Sequence, residues 1–135
     1  APVTFRIHFV VQDDGLVPGE ITRLLGIRPT WSGSEEPEGR KPFGYWVRYH
    51  SLRRVKSLDR AVQGLCGELE PVKRKIRRLA KNHTCWFEIG CFFQWEDILV
   101  PCIPLNADSM KALASFGIPV YSFPYPCSSN PESER

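Results

Sequence analysis

Ser57–Lys81, SLDRAVQGLCGELEPVKRKIRRLAK, is the stretch that decides the fold. Its apolar residues Leu58, Val62, Leu65, Leu69, Val72, Ile76 and Leu79 are spaced alternately four and three apart. That spacing lines all of them along one stripe of a helix. The other face carries Arg60, Lys73, Arg74, Lys75, Arg77, Arg78 and Lys81. Pro71 lacks an amide hydrogen and its ring strikes the carbonyl four residues back, so one straight helix is excluded. Two helices are predicted instead, over 58–69 and 71–81, with Pro71 opening the second. An apolar stripe of this length needs a sheet to cover it.

The flanking sequence supplies that sheet. Phe5, Ile7, Phe9 and Val11 alternate with Thr4, Arg6, His8 and Gln12, the period of a half-buried strand. A short helix is predicted from Pro18 to Leu25, stopped by Gly26. Residues 32–42 hold no apolar side chain other than proline and are expected to form an exposed loop. Phe43, Tyr45, Val47 and Tyr49 alternate with Trp46, Arg48 and His50 in a second strand, and Thr84–Phe93 is apolar on both faces, as in a central strand. A short strand is expected over 98–103, and a helix capped by Asn106 or Asp108 runs to about Phe116. Gly117 ends that helix before a last strand, Val120–Phe123. The helix stops Leu25-Gly26-Ile27 and Phe116-Gly117-Ile118 echo each other. The expected fold is α+β: a ferredoxin-like or related sandwich with an antiparallel or mixed sheet, helices on one face and pseudo-duplicated halves. It occupies residues 1–124 as one domain, and 125–135 reads as a disordered tail.

The totals narrow the function classes. A chain of 135 residues with net charge +3 fits one domain, and it contains neither an 18-residue apolar run nor a leader-like segment. Residues 51–81 hold 10 Lys and Arg against 3 Asp and Glu, a local +7, so the remainder sums to −4. The five cysteines are odd in number and scattered, which suits reduced cytoplasmic thiols better than a disulfide framework. There is no phosphate-binding glycine loop, nucleophile elbow or paired metal-ligand motif. His83, Cys85 and Cys91 are assigned structural roles, Glu96-Asp97 a solvated loop, and His8, His50 and Glu88 form no catalytic motif. No enzymatic activity, cofactor or metal is expected.

A resemblance adds to this reading. Phe5 and Phe9 of the opening strand, Glu20-Ile21-Thr22, Leu24-Leu25-Gly26-Ile27, Pro29-Thr30, Trp46 on an aromatic strand, and the helix stop Phe116-Gly117-Ile118 stand in a familiar order. Over residues 3–125 the chain resembles the small bacterial proteins grouped as domain of unknown function 4279. That family transfers no catalytic residue. Families of this build are often toxin-immunity proteins, including those of contact-dependent inhibition.

Protein binding without catalysis is therefore the leading expectation, the partner being a bacterial toxin domain of nuclease type and the place of action the cytoplasm, with no membrane. Two surfaces are candidates: the acidic loop with Trp31, Glu35, Glu36 and Glu38, and the basic second helix with Arg74, Arg77 and Arg78. RNA binding is the alternative. Lys41-Pro42-Phe43-Gly44-Tyr45 approaches the basic–Gly–aromatic–Gly–aromatic run of RNA-recognition strands, but Pro42 replaces the first Gly and Trp46 shifts every later residue by one. Phe43 and Tyr45 are accordingly assigned to the core, leaving Trp46, Arg48, Arg6 and His8 as the stacking face.

Overall fold

The structure is a computed structural model that describes residues 3–94, 96 and 102–127. Strand β1 (Thr4–Asp14) leads into helix α1 (Pro18–Leu25), then strands β2 (Trp31–Glu35) and β3 (Phe43–Tyr49). Helix α2 (Leu58–Leu69) comes next, then a 3-10 turn (Glu70–Val72), helix α3 (Lys73–Leu79), strand β4 (Thr84–Gln94), helix α4 (Ala107–Ala114) and strand β5 (Val120–Cys127). The five strands form one mixed sheet in the order β2-β3-β1-β4-β5. β4 and β5 are parallel and the other neighbours antiparallel. Through β4 this is the split β-α-β arrangement of ferredoxin-like folds, to which α4 and β5 add a parallel strand.

The helical stripe is the core. Leu58, Val62, Leu65, Leu69, Val72, Ile76 and Leu79 are all buried, against Phe5, Ile7, Phe9 and Val11 of β1 and Cys85, Phe87, Ile89 and Cys91 of β4. Ser57 caps α2, its hydroxyl accepting from the Arg60 amide at 3.3 Å. Pro71 lies inside the 3-10 turn, so α3 begins at Lys73 and ends at Leu79, within the expected 71–81. Asn106 caps α4 by accepting from the Ser109 amide at 2.8 Å.

Four expectations are corrected. Residues 31–35 are a strand, so the loop predicted over 32–42 shrinks to its second half. An edge strand needs backbone pairing with one neighbour and no apolar side chain, which is why Ser32, Gly33 and Ser34 gave no sign of it. The faces of β3 are exchanged: Trp46 is 0% exposed in the core, while Phe43 and Tyr45 turn away from the helices. Gly44 shows the cause. It shares the helix-side face with Trp46, and a Cβ there would lie 2.0 Å from the Leu16 carbonyl oxygen, so that face must be bare at this point. Gly26 and Gly117 do stop both helices at positive φ, 72° and 69°. The halves nevertheless differ, since β3 separates β2 from β1 whereas β5 pairs directly with β4. Finally, β5 runs through Cys127, past the point where the tail was expected to begin. The rest of that tail, and most of the strand expected over 98–103, lie outside the described residues.

β5 continues through two prolines because of its place at the sheet edge. The Phe87 amide donates to the Pro119 carbonyl at 2.9 Å, which turns the backbone groups of the odd-numbered residues of β5 toward β4. Pro124 and Pro126 fall in the even-numbered set, whose backbone points outward, so no ladder bond is lost.

Cys66, Cys85 and Cys91 are buried, Cys102 is exposed, Cys127 is half-buried, and all five are free. Burial pushes the Cys85 thiol up to about 12 and the Cys66 thiol up to about 11. A thiol reagent at neutral pH is expected to modify Cys102 and Cys127 first, and all five after denaturation without reductant. Native Cys85 reacting as fast as Cys102 contradicts this burial.

Candidate functional site: the open face of the sheet

All four helices lie on one side of the sheet. The alternate residues of every strand therefore project from the other side, and the strand register sorts them into seven cross-strand rows. From one end to the other these are Glu35–Phe43–Asp14; Gly33–Tyr45–Gln12–Thr84; Trp31–Val47–Val10–Trp86; Tyr49–His8–Glu88–Tyr121; Arg6–Gly90–Phe123; Thr4–Phe92–Tyr125; and Gln94–Cys127. Nine of these side chains are aromatic, not counting His8. Trp31 is 57% exposed, Tyr121 48%, Phe123 44% and Tyr125 41%. An uncovered patch with so much aromatic surface is unusual for a sheet face turned to water, and such patches mark contact sites.

The rings are held in place by one another. Phe92 and Tyr125 stack at 4.9 Å with 15° between their planes, Trp86 meets Tyr121 edge-on at 6.3 Å, and His8 lies 4.4 Å from Tyr49. The Arg6 guanidinium sits 4.8 Å over the Phe92 ring and 5.9 Å from Tyr49, with one N–H donated to the Leu52 carbonyl at 3.3 Å. Arg54 approaches Phe92 at 4.7 Å. At the centre, His8 Nε2 lies 2.8 Å from Glu88 Oε2, and the Trp86 indole N–H donates to Glu88 Oε1 at 3.3 Å. The hydrogen bond from His8 holds the Glu88 carboxyl below its usual range, against the opposing effect of burial. Charge on this face is thus confined to its ends, Asp14 and Glu35 at one and Arg6 and Arg54 at the other, with a paired His8–Glu88 between.

The residues singled out in the sequence are dispersed. Trp31 and Glu35 belong to the open face, and Glu36 and Glu38 are exposed in the turn after β2. Trp46 and Arg48 belong to the opposite face, which corrects the stacking surface predicted from them. Trp46 packs edge-on against Phe9 at 5.9 Å and donates its indole N–H to the Thr22 hydroxyl at 3.0 Å. Arg48 donates to the Arg28 carbonyl at 2.8 Å and pairs with Glu68 of α2 at 3.6 Å. Arg74, Arg77 and Arg78 lie exposed on α3 in the helical layer, Arg77 donating to the Ser115 carbonyl. His83 hydrogen-bonds Asp13 at 3.3 Å, apart from the buried thiols of Cys85 and Cys91. Tyr121, Phe123 and Tyr125 were missed as site residues, although their strict alternation along one strand was the available signal.

The Ile21–Thr30 motif proves to be a joint that sets this face. Gly26 donates its amide to the Thr22 carbonyl at 2.8 Å, and the Thr30 hydroxyl accepts the Tyr49 amide at 3.0 Å, fixing β2 against β3. Among the described residues no helix is long and apolar enough to cross a membrane. Comparison with curated proteins and with solved structures returned no match. A family model described as "Domain of unknown function (DUF4279)" matches residues 3–125, which span both the Ile21–Thr30 joint and the whole open face. The chain belongs to that family.

Proposed function

We propose that this chain is a non-enzymatic protein-binding module whose contact surface is the open face of its sheet. The observation that carries this reading is the set of exposed aromatic side chains Trp31, Tyr121, Phe123 and Tyr125 on a face that none of the described helices covers. Tyr, Trp and Arg are the side chains that dominate binding energy at protein interfaces, and charge confined to the rim matches interface anatomy. The finer form of the reading is an immunity protein: the partner is a bacterial toxin domain, and docking occludes its working surface. That families of this build are often toxin-immunity proteins supports that form, and the buried thiols suit the reducing cytoplasm.

One observation favours the nucleic-acid alternative. Phe43 and Tyr45 face away from the helices, as base-stacking residues do. Charge argues the other way. Asp14 and Glu35 flank Phe43, and the basic residues of α3 lie in the helical layer, away from the aromatic surface. The basic groups described on the aromatic face, Arg6 and Arg54, stand over Phe92 at the end away from Phe43 and Tyr45, and a single strand needs stacking and charge together.

The test is capture of partners from native lysate by the immobilised protein, with identification by mass spectrometry. Tyr121→Asp/Phe123→Asp is expected to lose the proteins that wild type retains, whereas Arg74→Glu/Arg77→Glu/Arg78→Glu retains them, both with wild-type circular dichroism. The reverse pattern moves the contact surface to α3. Retention of single-stranded RNA at physiological salt, abolished by Tyr45→Ala, replaces the protein reading with the RNA one.

A further inference from the structure

The geometry points to a second copy of this chain as the occupant of the open face before any other partner arrives. The inference rests on that face being the contact surface, and it names what first covers it. Its basis is the distribution of charge along these rows. The acidic end carries Asp14 and Glu35, and Arg6 stands in the fifth row. Among the described residues, Arg6, Asp14 and Glu35 have no ion-pair partner of their own. Arg6 is nonetheless positioned, held between Phe92 and Tyr49 with most of its N–H fork unused.

Two sheets packing face to face stand about 10 Å apart with their strands nearly aligned. A two-fold axis between them, crossing the strands, reverses the row order of one copy relative to the other. Arg6 of each copy then lies over the Asp14–Glu35 end of its mate, and the contact is made twice by symmetry. The same operation lays the apolar row Trp31–Val47–Val10–Trp86 over its own counterpart, and the row Tyr49–His8–Glu88–Tyr121 over Gly33–Tyr45–Gln12–Thr84. The one charge buried there is already paired. Glu88 takes hydrogen bonds from His8 and Trp86 within its own chain, so covering it leaves no bare carboxylate. A face with charges of opposite sign at its two ends and an apolar middle is complementary to itself under this rotation. A toxin or other protein partner accordingly competes with the second copy for the same rings.

Sedimentation equilibrium on the isolated chain, from micromolar to millimolar concentration, tests this. Wild type is expected to show a monomer–dimer equilibrium. Arg6→Glu and the pair Asp14→Lys/Glu35→Lys each weaken it by at least about tenfold through like-charge contacts. Mixed one to one, the two variants re-form a dimer close to wild-type strength, because the heterodimer restores opposite charge at both ends. A misfolded variant could not be rescued in this way. Wild type that stays monomeric throughout overturns the inference, as does a dimer that neither variant weakens or that mixing does not restore. None of these results touches the protein-binding reading itself, which is decided by the lysate capture with the Tyr121→Asp/Phe123→Asp variant and by the RNA test with Tyr45→Ala.

Discussion

Trp46→Ala is expected to destabilise the protein by about 3–5 kcal/mol, as measured by the shift in its denaturant midpoint. The indole is wholly buried, touches Phe9, and gives its one polar group to Thr22 at the other side of the core. Removing it leaves a cavity between β3 and α1 and strips the Thr22 hydroxyl of its donor. Trp31→Ala is the matched control. Trp31 stands one strand away on the opposite face, exposed, and its loss should change stability by no more than about 0.5 kcal/mol. Equal midpoints for the two variants would mean that the faces of β3 are assigned the wrong way round.

Leu65→Ala and Ile76→Ala should each cost about 2–5 kcal/mol. Both side chains are completely buried, one on each side of the Pro71 turn. They report separately on α2 and α3, so a large effect from one and none from the other would show that only one of the helices seats its stripe on the sheet. Leu24→Ala, at an exposed position of α1, provides the baseline.

Legibility of the fold in the sequence tracked the strength of side-chain patterning. The limits of α2 could be read to the residue, because seven apolar side chains keep helical spacing and Pro71 marks where it must break. β1 and β4 were plain as strands, although β1 runs on to Asp14 and β4 to Gln94. β2 was not, since its five residues contribute backbone pairing and almost no apolar surface. β3 misled for a different reason. Phe43, Tyr45, Val47 and Tyr49 outnumber Trp46 as apolar candidates, so counting favoured the wrong face. Gly44, on the Trp46 side, recorded the close approach of Leu16 and was the better guide. The same inversion concealed the site. With Phe43 and Tyr45 assigned to the core, the aromatics of β5 had no partner surface to join. The charged groups drew attention to a turn at the rim of the aromatic surface and to a helix on the other side of the sheet.

The two prolines on the outward side of β5 reach beyond that strand. Proteins with two free sheet edges can polymerise when the leading edge of one molecule meets the trailing edge of the next, and nothing in such a chain tells it to stop. Here Pro124 and Pro126 withhold the donors that the trailing edge would need. Edge-to-edge growth along β5 is therefore opposed at Pro124 and Pro126, while Val120 and Ser122 keep their outward amides.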